Sequence, residues 1–245
     1  NQSWKKQTDT VIQNYADQQY GKRFTSAGRV GQVCKLLKAR SVVNVHFNAA
    51  PVFAFSNGTL ELNTGIFREP RQSDYCSISM NYPYNASARC PRWKKFIEDV
   101  TDGDPIREEA LQMIAGYVLF PNCKHQKIFA FMGAGGNGKS VYLDVLQEVF
   151  GMENCTTIDP LGLCEDFKAI HIKSSLLNYA QEIDSDFSKA EKVLKTIADG
   201  KDLQACYKGK DHIIFRPRCK LIFSCNAVPQ ARTIACLLYT SPSPR

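Results

Sequence analysis

The chain has 245 residues, of which 44% are apolar and 22% charged, with a formal net charge of +7. These proportions exclude a disordered or fibrous chain and leave room for one large or two modest globular domains. The apolar runs are too short to span a bilayer, so no membrane partner is expected, and no secretory signal opens the chain.

Residues 4–41 read as helical, with apolar Val11, Ile12, Tyr15, Val30, Val33, Leu36 and Leu37 interrupted by glycines between 21 and 31. Residues 1–40 carry eight Lys/Arg against two Asp, interleaved with Trp4, Tyr15, Tyr20 and Phe24. Basic residues neutralise phosphates and aromatic rings stack on bases, although a solvated basic face reads the same way. Short strands follow at 51–55 and 59–62, joined by Ser56-Asn57-Gly58, and Asn-Gly between strands predicts a hairpin. Residues 70–92, with Pro70, Pro83 and Pro91, read as a polar connector. They suggest a boundary near residue 90 between a 1–90 domain and a 91–235 domain. Helices resume with Trp93, Phe96 and Ile97 on one face, then Leu111, Ile114, Ala115, Val118 and Leu119 on another.

Residues 127–132 predict a buried strand, and residues 140–150 a helix with apolar Val141, Leu143, Val145, Leu146 and Val149. Between them lies Gly133-Ala134-Gly135-Gly136-Asn137-Gly138-Lys139-Ser140, which fits the nucleotide-triphosphatase phosphate loop G-x-x-x-x-G-K-[ST]. Glycines let successive N–H groups surround phosphate oxygens, and the helix N-terminus adds its positive dipole end. ATP and Mg²⁺ are the expected ligands: Gly133 through Val141 line the phosphates, Lys139 reaches the β- and γ-phosphates, and Ser140 ligates Mg²⁺. The ten cysteines form no C-x-x-C pair of the kind zinc ribbons and fingers need, so structural zinc is not expected. A disulfide framework is not expected beside such a loop, so buried thiols and a cytoplasmic setting are.

A strand over 174–180 ends at Gln181-Glu182, a helix opens near Ser188-Lys189-Ala190-Glu191, and two short strands within 202–215 flank a basic turn. A last strand, 220–225, ends on Asn226. Alternating strands and helices predict a parallel α/β sheet, whose C-terminal strand ends face the ligand crevice. Glu182 there could activate water or hold Mg²⁺ through water, and Asn226 could bond a γ-phosphate or the lytic water. Asp184 and Asp186 are weaker alternatives to Glu182. Residues 201–220 carry six Lys/Arg against two Asp, with Tyr207 and Phe215 among them.

The order of glycine loop, Glu-ended strand, basic hairpin and Lys-Leu-Ile-Phe-Ser-Cys-Asn226-x-x-Pro229 resembles the superfamily 3 helicases of the phage and plasmid primase–helicase type, related to poxvirus proteins. The stretch Asn57-Gly58-Thr59-Leu60-Glu61-Leu62-Asn63-Thr64-Gly65, Cys90-Pro91-x-Trp93 and the segment from Leu111-Gln112 to Gly116-Tyr117 share in that resemblance. It implies an AAA+-like P-loop NTPase core preceded by a smaller mixed α+β domain. It also implies a DNA helicase, usually a homo-hexameric ring, that moves along single-stranded DNA using ATP in the cytoplasm of a host cell. Tyr207, Lys208, Lys210 and His212 match the hairpin that reaches DNA in such rings. Two features depart from the pattern. Gln181 stands where a second acid is common, and the arginine finger lies beyond Asn-x-x-Pro, with Arg232 too close to fill it. The last ten residues, 236–245, resemble a translated sequencing adapter, so a chain truncated at both ends, binding ATP but hydrolysing it poorly, is expected. A nucleotide-controlled DNA-binding adaptor and a small-molecule kinase remain the alternatives.

Overall fold

The computed structural model describes residues 47–133, 135–183, 187–226 and 237–240, together with six isolated helical positions before residue 47. The expected helices over 4–41, the basic segment 1–40, Ala134, Asp184, Asp186 and Arg232 therefore fall wholly or mostly outside the described residues.

Three short antiparallel strands come first: β1 (Val52–Phe55), β2 (Gly58–Glu61) and β3 (Phe67–Arg68). Phe55 pairs with Gly58, so the turn residues are Ser56 and Asn57, one position earlier than the Asn-Gly signal suggests. Gly58 serves a different need. A Cβ there would sit 2.3 Å from the Phe67 ring, so only glycine lets β3 approach. Asn57 closes the turn by donating to the Tyr84 carbonyl (3.0 Å) and accepting from the Tyr84 amide (2.8 Å).

That contact shows what the expected connector does. Ile78 and Met80 are buried, and the Met80 amide donates to the Ala54 carbonyl at 2.9 Å. The segment is packed onto the hairpin, and proline content hid its two apolar anchors. Helix α1 (Pro91–Thr101) and helix α2 (Pro105–Leu119) follow, each opening on a proline at its first turn, where no amide hydrogen is needed. Asp104 caps α2 by accepting from the Ile106 amide at 2.9 Å.

The main sheet contains β4 (Ile128–Met132), β5 (Cys155–Thr156), β6 (Leu177–Ile183), β9 (Lys220–Cys225) and β10 (Leu237–Thr240). All its pairings are parallel, in the spatial order β10-β4-β9-β6-β5. Helix α3 (Lys139–Phe150) follows β4, and α4 (Asp166–Ala169) lies between β5 and β6. Helix α5 (Glu191–Ala198) follows β6. A separate hairpin, β7 (Leu203–Ala205) with β8 (Ile213–Phe215), precedes β9.

Side chains alternate across each central strand, which divides the core in two. Phe129, Phe131, Leu177, Tyr179 and Ile222 face α2, α3 and the small sheet, in one cluster that also contains Phe53, Ile78 and Met80. Ile128, Ala180, Leu221 and Phe223 face α5 and the β7–β8 hairpin. Every residue of β4 and β9 is buried, as helices on both faces of a parallel sheet require. Losing a ring such as Phe223, which is fully buried, costs about 3–5 kcal/mol. In α3 the buried residues are Tyr142, Leu143, Leu146 and Phe150, whereas Val141 and Val149 are exposed.

Residues 237–240, expected to stand apart from the fold, pair with β4 from Leu237–Phe129 to Thr240–Met132. The other edge of β4 is taken by β9, so this edge offers unpaired amides and carbonyls to any extended segment. Leu-Leu-Tyr-Thr is such a segment, with strand-compatible side chains. Among the described residues, no helix is long and apolar enough to cross a membrane.

Candidate nucleotide and nucleic-acid site

Parallel register brings three distant segments of the chain to one edge. Met132 of β4 pairs with Cys225 of β9, and Cys225 pairs with Ile183 of β6. The glycine loop begins directly after Met132, and Asn226 directly follows Cys225. Glu182 directly precedes Ile183. Asn226 is exposed at its strand end, as a residue facing a crevice must be.

Between the Ala180–Phe223 and Ile183–Cys225 pairs, β6 advances three residues while β9 advances two. Gln181 and Glu182 therefore lie in a β-bulge. Bulges interrupt the alternation of side chains and commonly occur beside active sites. Gln181, the departure from the two-acid pattern, donates to Asp144 Oδ1 of α3 at 3.0 Å. Tyr179 likewise donates to Gln147 Oε1 at 2.8 Å, so α3 is tied to β6 just below this edge. Asp144 and Gln147 are supporting residues that sequence reading missed, because both sit on the polar side of an amphipathic helix.

The glycine loop has the backbone that its residues allow. Gly136 and Gly138 have φ of +80° and +79°. A Cβ on Gly138 would also meet Val100 Cγ1 at 2.6 Å, so α1 packs against the loop at a point where no side chain fits. Gly138 is the N-cap of α3 and supplies no capping side chain. Gly138 itself thus offers the first-turn amides no side-chain acceptor, and a helix of twelve residues stands behind them. Ser140 and Val141 are exposed at that end and Asn137 is buried. Lys139 Nζ donates to the Gly133 carbonyl and to Asn137 Oδ1, both at 2.7 Å. The ammonium is thus folded over the loop, held by two oxygens of the loop itself. Burial pushes the Cys225 thiol up, and the nearby Lys139 ammonium opposes that shift, which ties the end of β9 electrostatically to the loop.

The β7–β8 hairpin forms where the sequence predicts it, and its turn is closed by the Lys210 amide donating to the Tyr207 carbonyl at 3.0 Å. Tyr207, Lys208, Lys210 and His212 are all exposed. The wider basic cluster does not survive as a patch. Arg216 pairs with Asp202 and Lys201 with Asp199, each at 2.7 Å. Lys220 is 1% exposed, with Nζ donating to the carbonyls of Phe120 (3.0 Å) and Arg218 (2.7 Å) and lying 4.8 Å over the Tyr117 ring. Burial lowers its pKa to about 8, and that of Arg218 to about 10. A lysine opening an apolar run reads as a surface charge, so nothing in the sequence signalled this burial. His212, at the base of the turn, has its Nε2 2.9 Å from Asp166 Oδ2.

Comparisons with known proteins complete the picture. A family described as D5 N terminal like matches residues 2–102, and the family of unknown function DUF5906 matches residues 131–234. A candidate helicase, 184R of Invertebrate iridescent virus 6, is 27% identical over 74% of this chain and 20% of its own length. A candidate helicase, 121R of Invertebrate iridescent virus 3, is 26% identical over 73% of this chain and 20% of its own. A third, L207/L206 of Acanthamoeba polyphaga mimivirus, is 24% identical over 74% of this chain. The chain spans about a fifth (20%) of the length of these relatives. Among solved structures, the apo C-terminal region of NrS-1 shares the fold, with a TM-score of 0.52 at 13% identity over 85% of this chain and 61% of that one. A second apo structure of that region gives 0.51 at 15% identity over 78% of this chain and 58% of that one. The D5-type N-terminal match, the helicase-named viral relatives and the shared fold together support the resemblance of this chain to phage and viral primase–helicases.

Proposed function

We propose that this chain carries the ATP-hydrolysing core of a replicative DNA helicase. One observation carries the reading: the glycine loop, the Glu182 bulge and Asn226 end three neighbouring parallel strands at the same level. Such an alignment is what in-line attack on a terminal phosphate needs, with a phosphate cradle on one strand and a water-orienting group on the next.

The residues fit ATP and magnesium. Backbone amides at the start of α3, where Gly138 supplies no capping side chain, would bond phosphate oxygens, and the exposed Ser140 hydroxyl is a suitable Mg²⁺ ligand. Magnesium, when bound, would neutralise charge on the β- and γ-phosphates. Lys139 already bonds two loop oxygens, so phosphate oxygens would replace like with like. Glu182 would accept the proton of the attacking water, and could hold Mg²⁺ through a second water. Asn226 would donate its amide to the γ-phosphate or to that water. Tyr207, Lys208 and Lys210 would follow single-stranded DNA, the tyrosine by stacking and the lysines by phosphate contact. A homo-hexameric ring would bring six such loops to one strand.

The test is ATP hydrolysis by the purified chain, however slow, with and without single-stranded DNA. Stimulation by DNA that disappears in Lys139→Ala is expected. DNA binding with no DNA-dependent hydrolysis would overturn the motor reading in favour of an adaptor.

A further inference from the structure

Asp166, Cys206 and His212 come from three separate places: the first turn of α4, the residue after β7, and the residue before β8. One ligand atom from each lies within 4.8 Å of the other two. The thiol belongs to a residue only 4% exposed, while its two companions are exposed. We propose that these three side chains form a metal site for Zn²⁺, or another borderline divalent ion, that clips the base of the β7–β8 loop to α4.

The donor set decides the metal class. Thiolate, imidazole and carboxylate together suit Zn²⁺, whereas Mg²⁺ and Ca²⁺ take oxygen ligands. With bonds of 2.0–2.3 Å, tetrahedral geometry puts zinc ligands about 3.3–3.6 Å apart. The His212–Asp166 separation of 2.9 Å would open slightly, and the thiol would close in by up to about 1.5 Å. Three protein ligands leave a fourth position for water. As an ion pair alone, the half-exposed His212 and Asp166 contribute little, and such a pair gives no reason for a buried thiol at the third corner.

The sequence expectation of no structural zinc rests on the absence of close cysteine pairs, and the spacing Cys206-x₅-His212 with a distant Asp166 departs from that expectation. A metal here would close a loop holding Tyr207, Lys208, Gly209, Lys210 and Asp211. Gly209, with φ of +73°, turns the chain inside that loop. His212 would then be a ligand that sets the loop's base, with Lys208 and Lys210 projecting beyond it. The site stands whether or not the chain is a motor.

The experiment loads chelator-stripped protein with Co²⁺ and reads the thiolate-to-metal charge-transfer band, then displaces it with Zn²⁺. About one equivalent is expected. The band should vanish in Cys206→Ser, and affinity should fall at least about tenfold in His212→Ala and Asp166→Asn. His212 is exposed, so its variant tests the site without threatening the core. Zn²⁺ should raise the Tm of the wild type but not of His212→Ala. Replacing the exposed Cys90 and Cys164 with serine should leave the band intact. No binding at micromolar metal, or a band that survives Cys206→Ser, would overturn the proposal.

Discussion

The two regions expected to do chemistry reach their geometry by opposite routes. The nucleotide edge is assembled from segments far apart in sequence, Gly133 to Ser140, Glu182 and Asn226, which only parallel pairing of β4, β9 and β6 aligns. The β7–β8 hairpin is local, and its partners lie within fifteen residues of one another. In the long-range site the described positions end or adjoin neighbouring strands at one edge of the sheet. The local one loses much of its apparent charge to ion pairs and to the core. Strand ends are fixed by register, so a residue predicted at one is held there. A basic cluster is only a count, and packing decides where each charge goes.

Four changes would break or sharpen that contrast. The largest effect is expected at Glu182. Glu182→Gln should lower ATP turnover by about 10²–10⁴-fold while leaving ATP binding intact, which parallel assays of hydrolysis and binding would check. An equal loss of both would mean that the carboxylate holds the ligand and does not activate water.

Gly138→Ala comes next. It places a Cβ 2.6 Å from Val100 at φ +79° and should destabilise the fold by about 1–3 kcal/mol, read by urea unfolding. Gly209 also has positive φ, but no atom lies within 4 Å of a Cβ built there. Gly209→Ala should therefore cost less than Gly138→Ala.

Lys220 gives a comparable cost and a pH signature. Lys220→Ala leaves the Phe120 and Arg218 carbonyls without their donor, a loss of about 1–3 kcal/mol. The wild-type ammonium titrates near 8 in the fold against 10.5 ordinarily. Between those values the unfolded chain binds more protons, so this group's contribution to stability rises with pH. Cys76, Cys123, Cys155 and Cys219 are pushed up by burial and act oppositely above the ordinary thiol value of 9.0. The lysine's share is therefore the difference between wild type and Lys220→Met, followed from pH 8 upward. A difference that stays flat to pH 10 would mean the lysine is charged in the fold.

The smallest effect belongs to the loop. Lys208→Ala with Lys210→Ala should weaken single-stranded DNA binding and reduce the salt slope by about 1.4, since each phosphate contact contributes about 0.7. Arg216→Ala should leave the slope unchanged, because that guanidinium is engaged by Asp202.

What was legible followed from pattern. Continuous apolar runs in β4 and β9, prolines at the first turn of α1 and α2, and the strand–glycine loop–helix order each leave a mark on the sequence. What was not legible depended on tertiary contact. Gly58 looks like a turn residue until Phe67 is placed over it. Ile78 and Met80 look like strays in a connector until Ala54 supplies a backbone partner. Asp166 carries no signal at all, because its partners are forty and forty-six residues away in the chain. The bulge at Gln181 and Glu182 is likewise invisible without β9 beside it.

The most direct measurement is titration of ATP·Mg²⁺ into the purified chain and into Lys139→Ala, followed by calorimetry. Saturable binding to the wild type, weakened at least about a hundredfold in the variant, is the result expected of a phosphate cradle formed by the glycine loop and Lys139. Equal affinity in the two proteins, or no binding to either, would contradict it.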